Sequence, residues 1–557
     1  MKIDLPPEKQ VSHLTLLRQP RLISTTEFNA LSFKERLQIV SAQEGKQKYQ
    51  LIFEAKDSER IVASLASQDL LLLAKDLGFR DFSDILGMVT PEQFTNFLDL
   101  DCWERDHFNP ASALEWLEAL LEGAEADQAF GLLKGMDRAL LTLIVKNLLG
   151  LLEEKAADSE GSDDEEAEEG ENPEAFKTAE AVLKLLQSND PQLFHELFFA
   201  AVSECESSLE EEVYQFQQGR LLDQGFCDYW EARKIYLYLD PDRFVLKGGN
   251  KTATGYPVEK SPPGFVIRSK DDKSFLGLLE NEGPEVPMWE MAFLVNKVLV
   301  ADGLAFGDSE QVRSVLTEIG DYLSIGRLFI LKNHNPGAVS LDPDLSLETL
   351  FRLGFSLTLR LGRRAKELEK TAIGPFLDGP FHEFIKCLTQ AKPRFYLGIE
   401  NNCNSGNRRF VSLEDICRAE QWLGRVETQR RLFEDHFGFD LSFFTPPEGP
   451  NQPASELEKV TLSDIFLTAL ANRLLGRKFF PGPLSPEELP VLHQQVSSEG
   501  NLTPEFREKT VAWLESLEPG GGNFADFCLE VWAEEFCPVK PDALSPDHIG
   551  GLLIAGC

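Results

Sequence analysis

Leu98-Asp99-Leu100-Asp101-Cys102-Trp103-Glu104-Arg105-Asp106 sets four carboxylates and an indole within nine residues. Carboxylate oxygens are the donors a hard divalent cation takes. The same acids around an aromatic anchor would also suit a basic protein surface. Asp99, Asp101 and Asp106 are therefore candidates for sensing a cation. Together with Trp103, Arg220 and Asp228 they form the candidate interaction patch. The competing reading is architectural. It places Trp103 in the core at a helix C-terminus with the acids in water, and makes Arg220, Asp223 and Asp228 part of an ion pair that stitches helices together.

No other constellation reaches a chemistry. The eight histidines include no H-E-x-x-H and no paired metal spacing, and His382-Glu383 lacks the second histidine. The nine cysteines are odd in number and form no C-x-x-C. That pattern argues against a zinc site and for a reducing compartment. Lys247-Gly248-Gly249-Asn250-Lys251-Thr252 imitates a phosphate loop, but Asn250 stands where that loop needs glycine before lysine. A flexible basic loop is the simpler reading. No catalytic, cofactor-binding or metal-binding residue is assigned.

The elements that would position these residues announce themselves by a repeated start signal. An acid or hydroxyl, then proline, then a large apolar residue recurs at Thr90-Pro91, Asp190-Pro191, Asp240-Pro241, Asp342-Pro343, Thr503-Pro504 and Ser545-Pro546. Proline loses nothing at the first helical position, and the side chain before it can accept from the free N–H groups of the first turn. Each copy thus predicts a helix start. Gly78-Phe79-Arg80-Asp81 and Gly225-Phe226-Cys227-Asp228 predict helix stops, with each aspartate capping the next helix. Ser412-x-x-Asp415 and Thr461-x-x-Asp464 predict capped starts. Cap-like positions at Thr90, Asp137, Asp190 and Asp240 suggest stacked helical units about 50 residues apart.

Apolar spacing is helical along nearly the whole chain. One face runs through Leu193, Phe194, Leu197, Phe198, Ala201 and Val202. Others run through Leu114, Leu117, Leu120 and Leu121, and through Leu413, Ile416, Leu423, Val426 and Phe433. Phe265-Val266-Ile267 is the best strand candidate. The predicted fold is all-α. N-terminal stacked helical repeats cover 1–152 and continue over 175–245. An acidic disordered loop lies at 153–174, an irregular Gly/Pro-rich connector at 246–287, and a C-terminal helical domain at 288–557.

Composition bounds the function. The 557 residues carry 40 Phe against 8 Tyr and 7 Trp, which favours packed interiors. The net charge of -37 repels nucleic acid and anionic membranes and favours a partner with a basic surface. Nine of the fourteen residues from Asp158 to Glu171 are acidic, too many to bury. No stretch approaches the twenty or so apolar residues of a membrane span, and MKIDLPPEKQVSHL lacks the apolar run of a secretory signal. A cytoplasmic protein without membrane insertion is expected.

The runs Leu31-Ser32 to Leu37, Leu65-Ala66-Ser67-Gln68-Asp69-Leu70 and Thr90-Pro91-Glu92-Gln93 through Trp103 resemble an uncharacterised bacterial family of unknown function. So do Arg220-Leu221 to Gly225-Phe226, Glu231-Ala232 and Leu239-Asp240-Pro241. The likeness extends over most of the chain and implies no activity. Residues 82–149 are also similar to the cytoplasmic helical domain of bacterial magnesium transporters, which implies a cation-sensing role. Three functions stand as expectations. The first is a non-catalytic interaction or scaffold protein with a protein partner. The others are a divalent-cation-sensing regulator and an enzyme with an unrecognised site between the two halves.

Overall fold

The computed structural model describes residues 2–4, 22–160, 173–244, 288–333, 346–400, 406–444, 460–544 and 551–555. Over these the fold is all-α, and the strands are two-stranded antiparallel pairs of two or three residues per strand. The chain divides into two compact units, 1–239 with 243–352, and 240–242 with 353–557.

In the first unit, α1 (Thr25–Ala30), α2 (Phe33–Ser41), α3 (Gly45–Glu54), α4 (Ser58–Ser64), α5 (Ser67–Leu77) and α6 (Phe79–Leu86) lead to α7 (Pro91–Asp101). Then follow α8 (Pro110–Gly123), α9 (Ala126–Gly135), α10 (Arg138–Glu160), α11 (Pro173–Asn189), α12 (Pro191–Ser203), α13 (Glu206–Asp223) and the short α14 (Tyr229–Arg233). Next come α15 (Met288–Asp302) and α16 (Ser309–Asn333), and the unit boundary falls inside α17 (Leu347–Glu369). The second unit continues with α18 (Gly379–Thr389), α19 (Leu413–Arg431), α20 (Leu462–Leu474), α21 (Leu489–Val496), α22 (Pro504–Leu517) and α23 (Gly521–Val531).

Several starts follow the local code. Thr90 and Gln93 form a reciprocal capping box at α7, and Thr461 with Asp464 does the same at α20. The Asp190 carboxylate accepts from the Leu193 N–H, Asp137 from Leu140, and Ser412 from Asp415. Thr503 precedes α22, but its hydroxyl donates to the Val496 carbonyl instead of capping. LDPDRF departs from the expectation. Residues 241–243 make a bend, in which Asp240 accepts from the Asp242 N–H at 3.1 Å. An aspartate can close this local turn as readily as a helix turn. The 50-residue rhythm of caps therefore ends at Asp190. Asp342-Pro343, Ser545-Pro546 and Phe265-Val266-Ile267 lie outside the described residues, as does the whole connector 246–287. Of the acidic segment 153–174, residues 153–160 end α10 and 173–174 open α11; the remainder lies outside them as well.

The phenylalanines fill interiors. In the first unit Trp116 is fully buried, with Phe79 edge-on at 4.7 Å, Phe97 stacked at 5.1 Å, and Phe82 and Phe94 edge-on beyond. In the second, Phe433, Phe437, Phe466, Phe479, Phe524 and Trp513 form a chain of ring contacts. One expected core face is only half right. On α12, Leu193, Leu197 and Ala201 are buried, but Phe198, Phe199 and Val202 are exposed. The stripe facing the neighbouring helices is one side chain wide there.

Candidate functional site

Asp99 is buried next to Phe97 and Leu98 near the end of α7. Its side chain is fully buried, and Arg220 of α13 meets it with two parallel hydrogen bonds, Nε–Oδ2 at 2.7 Å and Nη2–Oδ1 at 2.9 Å. The remaining Arg220 nitrogen pairs with Asp137 at 3.0 Å, while Gln217 donates to the Asp99 carbonyl at 2.8 Å. Burial pushes the Asp99 carboxyl above its ordinary value, and Arg220 offsets part of that rise. Burial acts against the Arg220 charge, yet Asp99 and Asp137 hold its guanidinium above its ordinary value. The fork is fully occupied, so this arginine locks α7, α10 and α13 together and has no donor pair left for an incoming anion.

Asp101 is likewise engaged. It pairs with Lys75 at 2.6 Å and accepts from the Trp116 indole at 2.8 Å. Burial drives the intervening Cys102 thiol well up, which removes it as a nucleophile. Trp103 opens a two-stranded hairpin with Phe108, half-buried beside Phe108 at 5.4 Å and Tyr214 at 5.8 Å. Asp106 sits at the exposed hairpin tip next to Arg105, a non-glycine residue in the left-handed conformation (φ 64°). Trp103 is thus on the hairpin and not in the helical core, and two of the acids expected in water hold internal partners. Asp99, Asp137 and Arg220 come together; Asp106 and Asp228 do not join them. Among the described residues no group of three or more acids, histidines or cysteines is arranged to hold a metal ion.

Asp228 belongs to a different feature. Gly225 (φ 84°) ends α13, and the Phe226 N–H returns to the Leu221 carbonyl at 2.9 Å. A Cβ on Gly225 would overlap the Phe293 ring of α15, so only glycine fits this stop. Asp228 then caps α14 by accepting from the N–H groups of Trp230 (2.9 Å) and Glu231 (3.1 Å). Asp81, its expected counterpart after Gly78, lies inside α6 because that helix begins directly at Phe79.

Beneath this corner Phe226, Ala232 and Ile235 are buried, and the Tyr236 hydroxyl donates to Asp302 at 3.0 Å. Burial and the Asp302 charge raise Tyr236 far above the ordinary tyrosine value. On α14, Trp230 is 74% exposed, with Tyr229 edge-on to it at 5.4 Å; Leu222 before the Gly225 stop and Leu237 after α14 are exposed as well. Most described aromatic rings are buried or half-buried, whereas Trp230 presents its indole to solvent. Sequence reading reached Asp228 but not Trp230, because the exposure of a five-residue helix depends on what packs below it.

The sequence model of one family, described as "Family of unknown function (DUF6178)", matches residues 25–555, and the chain belongs to that family. No curated protein and no solved structure matches the chain. Among the described residues no helix is long and apolar enough to cross a membrane.

Proposed function

We propose that this member of a family of unknown function is a non-catalytic interaction protein, and that the surface around Tyr229 and Trp230 on α14 is its contact surface. The observation that carries this reading is Trp230, 74% exposed on a helix capped by Asp228 and packed against α15. Exposed clustered apolar groups mark association surfaces, and tryptophan and tyrosine supply a large share of interface energy. A rigid support lowers the ordering cost of binding. The net charge of -37 favours a partner whose surface around an apolar depression is basic. The occupied Arg220 fork and the Lys75-bound Asp101 weigh against cation sensing at Asp99 and Asp101.

The test is affinity capture from the native host at native expression level, comparing wild type with Trp230→Ala and with Phe443→Ala. Phe443 is 80% exposed in the other unit and serves as the control. The proposal expects a stoichiometric partner retained by wild type and Phe443→Ala and lost from Trp230→Ala. Retention by all three forms refutes the assigned surface.

A further inference from the structure

The second unit holds an aromatic cavity of about 650 Å³ that the interaction reading does not use. Its walls come from α18, α19 and α23. Phe381 lies 5.4 Å from Trp422 and 5.3 Å from Phe527, and Tyr396 lies 6.1 Å from Trp422. Gly398 is required here, since a Cβ at that position would overlap the Tyr396 ring. Trp422, Arg425 and Gln429 occupy one face of α19 at spacings of three and four. Gln429 lines the cavity and is only 1% exposed, and its Oε1 has no hydrogen-bond partner.

We infer that this cavity binds an alkylammonium group carrying at least one N–H, from a free amine or a lysine side chain. Three observations converge. Aromatic faces attract cations. The enclosed Gln429 amide oxygen has no partner and costs free energy until a donor arrives; turning the amide would offer that oxygen to an ammonium N–H in the cavity. The rim carries Asp526, Glu530 and Glu534 against Arg425, and Arg507, outside the lining, bonds Asp526 at 2.6 Å and Glu530 at 2.7 Å. Three carboxylates and two guanidinium groups leave one net negative charge. Arg425 already stands over Trp422, 5.6 Å from the ring centre, so this ring holds a cation in the unliganded chain. A quaternary ammonium satisfies the rings but offers no proton to Gln429, which separates this site from a purely aromatic cage.

The experiment uses the full chain and saturation-transfer NMR with three probes: butylammonium, butyltrimethylammonium and the peptide acetyl-Gly-Lys-Gly-amide. Butylammonium is expected to bind more tightly than its trimethylated analogue. Gln429→Leu should weaken it by about tenfold, in line with loss of one charge-assisted hydrogen bond. Phe527→Ala should abolish the signal, and Arg425→Gln should strengthen it by removing a like charge. Tighter binding of the peptide assigns the amine to a protein side chain; tighter binding of butylammonium assigns it to a small molecule. Should Phe527→Ala fail to fold, the Arg425→Gln and Gln429→Leu comparisons decide alone. No butylammonium signal at millimolar concentration, equal binding of the two ammonium probes, or indifference to Gln429→Leu overturns the inference.

Discussion

Replacing Arg220 with leucine strips the paired guanidinium from a fully buried carboxylate. In the native protein Asp99 has no exposed side-chain surface and receives both hydrogen bonds at 2.7 and 2.9 Å, while the Arg220 side chain keeps 22% exposure. Breaking a buried pair by removing one partner costs about 3–5 kcal/mol. The partial exposure of Arg220 places this case near the lower end, about 3 kcal/mol, and the Asp137 contact adds only a few tenths.

The cost depends on pH. Asp99 already titrates above its ordinary value through burial, and losing Arg220 raises it further. A carboxyl with a raised folded-state value binds its proton more tightly when folded. Its favourable contribution is complete below the unfolded value and disappears as pH rises through the folded one. The deficit of Arg220→Leu should therefore be largest at neutral pH and shrink on acidification toward the ordinary carboxylate range, as Asp99 takes up its proton. Urea denaturation of wild type and variant across that range measures both terms. Adding Asp99→Leu to the variant should recover much of the loss, because an apolar pair avoids burying an unpaired charge. A deficit below about 1 kcal/mol at neutral pH, or one that grows on acidification, would refute the reasoning.

Other outcomes follow from particular contacts. Thr90→Ala removes the α7 capping box and should cost about 1 kcal/mol in urea denaturation, since the Gln93 N–H loses its acceptor. Asp378 in the second unit is pushed up to about 6, chiefly by burial with the Asp464 charge adding to it. Its stabilising contribution is present below about pH 4 and lost as pH rises through about 6, so wild-type stability should fall across that window by up to roughly 3 kcal/mol. Asp378→Asn should abolish that part of the pH dependence in the same titration. Gly123→Ala would drive a methyl into the Ser83 carbonyl between α8 and α6 and should destabilise by about 1–3 kcal/mol. Gly131→Ala inside α9 meets open space and should stabilise by about 0.5–1 kcal/mol. Thermal melting of the two glycine variants side by side checks both signs.

The pattern of success follows the range of the interactions. Thr90, Asp137, Asp190, Ser412 and Thr461 were legible because a cap involves groups three or fewer residues apart, and the side-chain chemistry is local. Asp240 carries the same letters and makes a turn, since the choice between turn and helix depends on what the following residues pack against. Arg220 reads as an ion-pair residue in the sequence, but Asp99 is 121 positions away, and nothing local singles it out from Asp223 or Asp228. The α12 face shows the same limit: helical spacing identifies Leu197 and Val202 alike, while only neighbouring helices decide that one is buried and the other exposed. The aromatic cavity was illegible for a related reason. Phe381 lies on α18, Tyr396 after it, Trp422 on α19 and Phe527 on α23, with α20, α21 and α22 between the last two, and the orphan acceptor of Gln429 exists only once these elements have packed.

The central claim is that Trp230 is an interaction anchor, and its most direct measurement is the dissociation constant of the captured partner for wild type and for Trp230→Ala, with circular dichroism confirming equal helicity. The account predicts at least a tenfold loss of affinity, equivalent to about 1.4 kcal/mol, as expected for a central aromatic contact. Equal affinity of the two proteins for that partner would contradict it.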